Sequence, residues 1–316
     1  MKRIKKFITL TISCVLVASS FAGCKNSKND SSQKNFSAKT YDINTTETNS
    51  PQITSNPIPQ SNPVYVIKSY NVYNNKGNIK YHYNFNYKNN KLTQIEYYTA
   101  KRLAATYLPE INDDNNLTAF LSFDFKNKKS EYYKTKLFND GMLKCEYKYS
   151  PNDDIIYKYD FTYNDNKQID TKTKYLHGTK QTIKSGYTYN KHKNIVQQTN
   201  YSAKGTAISY IKYYYKKGRL KTEKYFSKKG KIYYINKYRY NKKGKLLTLR
   251  KYIDKKCKKS VLTVKYKYNK KGLKTDEFRY GKNNKLKKHI SIKYCKIKVI
   301  AEKPWYLDWV YDKISE

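Results

Sequence analysis

Along most of this chain aromatic and polar residues alternate one for one. Tyr81, Tyr83, Phe85 and Tyr87 are interleaved with His82, Asn84 and Asn86, and Tyr157, Tyr159, Phe161 and Tyr163 with Lys158, Asp160 and Thr162. In 262–268, Leu262, Val264, Tyr266 and Tyr268 fall on one side, and Thr263, Lys265 and Lys267 on the other. A period of two predicts β-strands with two unlike faces. Between the alternating runs comes a second pattern: an aromatic residue, two or three polar residues, a Gly, then a branched aliphatic. It reads YSAKGTAI from Tyr201, YYKKGRL from Tyr214, FSKKGKI from Phe226, YNKKGKL from Tyr240 and YNKKGLK from Tyr268.

Gly77, Gly141, Gly205, Gly218, Gly230, Gly244 and Gly272 are the candidate turn glycines. A tight hairpin turn needs a positive φ, which Gly supplies most readily. Lys167, Lys193 and Asn284 stand at equivalent places and are expected to take the same conformation. The unit recurs every 12 to 16 residues, long enough for one strand and one turn, with a tendency to a double unit of about 26. The expected fold is all-β: tandem antiparallel hairpins over 64–300 in one long sheet, curled or wound so that its aromatic face is covered.

Two segments break the rhythm. Residues 100–127 are expected as an irregular insertion, with 101–108 forming two helical turns that stop before Pro109. Residues 301–316 are expected as a terminal cap over the last repeat, with Trp305 and Trp309 at helical spacing.

The start of the chain is of another kind. Lys2, Arg3, Lys5 and Lys6 precede a short apolar run that ends in Phe21-Ala22-Gly23-Cys24. This resembles a bacterial lipobox, with Phe21 where Leu is usual. The resemblance implies a signal peptide over 1–23, a lipid on Cys24, and a place on the outer face of the cytoplasmic membrane. Residues 24–63 are rich in Ser, Asn and Thr and hold Pro51, Pro57, Pro59 and Pro63, the composition of a disordered tether.

The Tyr-(Asn/Asp)-x-x-Gly-x-(Leu/Ile) unit, recurring over 73–294, resembles the YD-repeat, or RHS-repeat, family. That resemblance implies strands wound into shells or extended sheets on bacterial surface proteins. The departures are Lys or Asn in place of Asp, and the lack of a long array and a toxin domain. The rhythm is also similar to glycan-binding repeats of Gram-positive surface proteins, without their Gly-Trp pairs.

The formal charge is +42, and removal of the four cations of the signal leaves about +38. The excess is uneven. Residues 201–300 hold about 34 Lys plus Arg against Glu223, Asp254, Asp276 and Glu277, whereas 101–170 hold about 11 against 12 acids. The candidate polyanion-binding residues are Lys237, Arg239, Lys265 and Lys267 on strand faces, and Lys242, Lys243, Lys245, Lys255, Lys256, Lys258, Lys259, Lys270 and Lys271 at turns. Together they would make one basic stripe. Partners of the matching chemistry are teichoic acids, acidic glycans and anionic lipid heads, with nucleic acid bound only nonspecifically.

Catalytic chemistry finds little support. His82, His177, His192 and His289 lack a repeated Asp or Ser partner, and no phosphate loop, zinc spacing or nucleophile elbow occurs. No cofactor or metal site is expected. Cys145, Cys257 and Cys295 form no disulfide framework, though one pair stays open. The expectation is a non-catalytic envelope lipoprotein that binds polyanionic polymers. The alternatives are a scaffold for a protein partner and, more remotely, a wall-associated enzyme.

Overall fold

The computed structural model describes residues 62–99, 102–253, 255–299 and 304–315. The signal segment, Cys24 and nearly all of the tether lie outside them. The chain divides into two compact units, Ser61–Val310 and a second made of Met1–Gln60 with Tyr311–Glu316. All the strands belong to the first.

The alternating runs become strands: β1 (Asn62–Tyr73), β2 (Ile79–Lys88), β3 (Lys91–Thr99), β4 (Arg102–Ile111), β5 (Leu117–Asp124) and β6 (Tyr132–Leu137). They continue as β7 (Leu143–Tyr149), β8 (Ile155–Tyr163), β9 (Ile169–Leu176), β10 (Lys180–Tyr189), β11 (Ile195–Ser202) and β12 (Ala207–Lys216). The last six are β13 (Arg219–Ser227), β14 (Ile232–Tyr240), β15 (Leu246–Tyr252), β16 (Ser260–Tyr268), β17 (Lys274–Gly281) and β18 (Leu286–Val299), followed by the helix α1 (Trp305–Ser315). Each strand pairs antiparallel with the next, and β1 pairs with β18 from Asn62↔Val299 to Tyr73↔His289. The 18 strands therefore close into a barrel. This corrects the expected curled or wound open sheet. Closure pairs the two edges that an open meander leaves exposed, and it encloses the aromatic face without stacking one sheet on another.

Cross-strand partners share a face, so each face can be followed round the ring. Tyr70, Tyr83 and Tyr97 are successive partners on β1, β2 and β3, as are Tyr238, Leu249 and Val264 on β14, β15 and β16. Their face collects most of the buried residues, including Val72, Phe85, Ile95, Phe120, Ile211 and Ile290. A closed ring crowds side chains on its concave wall, so this is the inner wall. One inner carboxylate is held by two cations. Glu277 is desolvated, which by itself would raise its pKa, yet Lys274 and Arg279, at 3.2 and 2.6 Å, hold it below the ordinary carboxylate value.

Six Gly-bearing turns, those of Gly77, Gly141, Gly205, Gly230, Gly244 and Gly272, share one geometry, whereas the β12–β13 turn is a two-residue turn in which Lys217 and Gly218 both have positive φ (51° and 70°). In the β14–β15 turn the Gly244 N–H donates to the Asn241 carbonyl (3.0 Å), and the Asn241 N–H to the Lys245 carbonyl (2.9 Å). Asn241 Oδ1 also accepts from the Lys245 N–H at 2.9 Å. Gly244 has φ +82°. This is the three-residue hairpin loop closed by a left-handed residue. Lys167, Lys193 and Asn284 adopt φ of 58°, 61° and 57° in their own turns, as expected.

The recurring Tyr has a second task. Tyr163 donates its hydroxyl to the Leu143 carbonyl (2.8 Å), Tyr189 to Ile169 (2.7 Å), Tyr215 to Ile195 (2.9 Å), Tyr268 to Leu246 (2.8 Å) and Tyr294 to Lys274 (2.9 Å). Each bond ties an even strand to the start of the odd strand before it. Tyr163, Tyr189 and Tyr215 are 26 residues apart, one hairpin per step, which accounts for the double unit.

The expected irregular insertion at 100–127 is a regular hairpin, β4 and β5, joined by a turn in which Asn115 has φ 62°. The expected helical turns at 101–108 are overturned, because pairing with β3 and β5 outweighs local helix propensity. Pro109 lies opposite Phe120 in the β4–β5 ladder but beyond the last β3–β4 partners, Ile95↔Tyr107, so on the β3 side no partner needs its missing N–H. The C-terminal segment is helical at the expected spacing, from Trp305 to Ser315. Trp309 meets the inner-wall rings of Phe120 and Tyr133 edge-on, at 5.9 and 5.6 Å, and its indole N–H donates to Glu146 Oε2 at 2.9 Å. Tyr306, Leu307 and Val310 are buried. Trp305 donates its indole N–H to Asn116 Oδ1 at 3.4 Å.

Candidate functional site

The face of β12–β16 opposite the buried wall is the outer one, and it is basic. Lys212 lies across from Lys224, and Lys237 across from Arg250. Arg239 and Lys265 both flank Thr248, and Lys267 lies across from Asp276 on β17. Lys212, Lys237, Arg239, Arg250, Lys265 and Lys267 are exposed, and Lys224 is half-buried. Within β12–β16 the sole carboxylate is Glu223. It faces inward, where it accepts hydrogen bonds from Asn236 Nδ2 (3.0 Å) and the Tyr225 hydroxyl (3.2 Å).

Like charges directly across a ladder destabilise a sheet. Here aromatic neighbours partly offset that. Lys237 lies over the Tyr252 ring (5.5 Å), Lys224 over Tyr214 (4.9 Å), Lys265 over Tyr280 (4.9 Å) and Lys267 over Phe278 (5.0 Å). In each the ammonium head itself lies over the ring face. Elsewhere cations find acids: Lys158 pairs with Asp160 at 2.8 Å and Lys167 with Asp140 at 3.3 Å. Among the described residues, none of the outer cations of β12–β16 makes such a pair.

The barrel sorts the candidate turn lysines by rim. Lys242, Lys243 and Lys245 in the β14–β15 turn share one rim with Lys270 and Lys271 in the β16–β17 turn. Lys255, Lys256, Lys258 and Lys259 in the β15–β16 turn stand at the opposite rim. Lys237, Arg239, Lys265 and Lys267 span the wall between. The expected stripe thus becomes one sector running from rim to rim. Lys271 also lies 4.8 Å from the Tyr65 ring, and its hydrogen bond holds the Tyr65 hydroxyl below its ordinary pKa.

Sequence reading missed Lys212, Lys224 and Arg250. The signal was present: Arg250 alternates with Leu249 just as Lys265 alternates with Val264. It also missed an acidic partner for His289, whose Nε2 lies 2.8 Å from Asp276 Oδ1 while its ring stacks on Phe278 (4.3 Å) and Tyr73 (4.9 Å). Those groups come from three strands, and only the register joins them. Asp276, thus engaged, forms no ion pair with its cross-strand partner Lys267. Cys145, Cys257 and Cys295 are free thiols. Among the described residues no cluster of His, Cys, Asp and Glu could hold a metal ion, and no helix is long and apolar enough to cross a membrane.

No protein-family model matches the chain, and no curated protein matches it significantly. Among solved structures the chain is similar to TcdB2-TccC3 in complex with Cdc42, at 10% identity over 70% of this chain and 15% of that one, with a TM-score of 0.34. It is similar to the Photorhabdus luminescens Tc holotoxin pore at 9% identity over 64% of this chain and 13% of that one, with a TM-score of 0.33. A porin-like protein from Bacteroides uniformis aligns at 8% identity over 72% of this chain and 98% of that one, with a TM-score of 0.36. The chain thus spans about a seventh of the length of the Tc chains it matches.

Proposed function

We propose that this protein is an envelope lipoprotein whose barrel, built of YD-like hairpin repeats, binds polyanionic polymers without catalysing a reaction. A lipid on Cys24 holds it at the outer face of the cytoplasmic membrane. The observation that carries the binding role is the outer wall of β12–β16, where cations face cations and the single carboxylate turns inward. A sheet keeps such pairs at a cost, and an anionic polymer lying on them removes it. Retention of the whole chain on immobilised teichoic acid, titrated with NaCl, tests this. Elution should move steeply with salt as counterions are released. Salt-independent capture of a single protein partner, with no retention on the polymer, overturns the reading in favour of a scaffold. The anchor has its own test: metabolic labelling with a fatty acid is expected in the native chain and lost in Cys24→Ala.

A further inference from the structure

The basic wall has a direction as well as a charge. Lys237 and Arg239 stand two residues apart on the outer face of β14, and Lys265 and Lys267 do the same on β16. Alternate residues of a strand place their side chains about 6.6 Å apart, across six backbone bonds. Phosphates joined through a three-carbon unit are also six bonds apart, through P–O–C–C–C–O–P. An extended phosphodiester chain therefore keeps step with cations set along a strand. Glycans with one carboxylate per disaccharide spread their charges over two sugar rings, so they meet every second cation at best. Arg239 and Arg250 add planar forks that suit two oxygens of one phosphate. Lysines of the turns continue the line at both rims, with Lys242 and Lys243 beyond Arg239 and Lys255 and Lys256 at the other end.

We propose that the outer wall of β14–β16 is a track for a linear phosphodiester polymer with three carbons between phosphates, lying parallel to the strands. This rests on the polyanion-binding function above and names its ligand class. The nine residues of β16 span about 30 Å, room for about five phosphates.

The test measures affinity of the full chain for glycerol-phosphate oligomers of increasing length, for oligothymidylates, and for hyaluronate oligosaccharides of equal charge, all at about 50 mM NaCl. Affinity for the glycerol-phosphate series should climb with length, then level off near five phosphates. Hyaluronate of equal charge should bind about tenfold more weakly. The charge-preserving pair Arg239→Lys with Arg250→Lys should weaken the glycerol-phosphate series severalfold while leaving hyaluronate unchanged, a difference that a folding defect would not produce. Oligothymidylate shares the six-bond spacing. Binding it no more tightly than glycerol phosphate supports an envelope polymer as the source, and tighter binding keeps the track and assigns it to single-stranded nucleic acid. Equal affinity for hyaluronate, or affinity that rises without levelling, overturns the track and leaves polyanion binding standing. Binding of none of the three overturns both.

Discussion

Gly244 shows how much one residue carries in this fold. Its φ of +82° closes the β14–β15 hairpin, and a Cβ there would lie 2.9 Å from Arg219 Nη2. Gly244→Ala should cost about 1–2 kcal/mol in urea unfolding, from the left-handed backbone alone. Lys167 holds the same conformation without being Gly (φ 58°), so Lys167→Gly should be neutral or stabilising by up to about 1 kcal/mol. Its ion pair with Asp140 is largely exposed and offsets little of that gain. The Tyr hydroxyls offer a separate check. Tyr268→Phe removes the bond to the Leu246 carbonyl and should lower stability by about 1 kcal/mol, measured in the same way. Turn positions were legible because Gly and Asn betray positive φ locally. The hydroxyl bonds were not, since nothing in a Tyr codon distinguishes a ring that only packs from one that also ties two strands.

Among the elements, α1 was half legible. Trp305 and Trp309 at helical spacing gave the helix, but its seat on Phe120 and Tyr133 depends on which strands the barrel brings beneath it. Trp309→Ala removes that packing and the indole donor to Glu146, and should cost about 3–5 kcal/mol by chemical denaturation. A loss below about 1 kcal/mol would show that the helix is not seated there. The hairpin β4–β5 carries the opposite lesson. Its Leu-Ala-Ala run and Pro109 argue locally against a strand, and neighbours on both sides overrule them. Where period two was strict, as in β2, β8 and β16, the strand and its two faces could be read directly.

For the whole molecule the decisive fact is closure, and closure was hidden. The partners Asn62 to Tyr73 and His289 to Val299 are separated by nearly the whole barrel, and their sequences carry no mark of each other. Closure has a consequence at high pH. Burial, with lesser help from nearby groups, lifts Tyr107, Tyr187, Tyr215 and Tyr294 from the ordinary 10.0 to about 12. The folded state thus holds these protons more tightly than the unfolded chain does. Their contribution is complete below pH 10 and is lost as pH rises through about 12. Phenolate absorbance should therefore rise in a cooperative step above pH 10, together with loss of β circular dichroism. Smooth titration near pH 10 with the fold retained would contradict an enclosed aromatic wall. The basic sector follows from the way each strand faces: Glu223 and Lys251 turn inward, and Lys212, Lys224, Lys237, Arg239, Arg250, Lys265 and Lys267 stand outside. The most direct test of that wall compares two charge reversals in the full chain, each first shown to be folded by circular dichroism. One is Lys237→Glu with Arg239→Glu, Lys265→Glu and Lys267→Glu; the other places the same number of reversals on the outer cations Lys134, Lys136, Lys158 and Lys184 of β6, β8 and β10. Salt-titrated retention on teichoic acid should collapse in the first and persist in the second. Equal loss in both would mean that net charge alone does the binding, and that the wall of β12–β16 is no site.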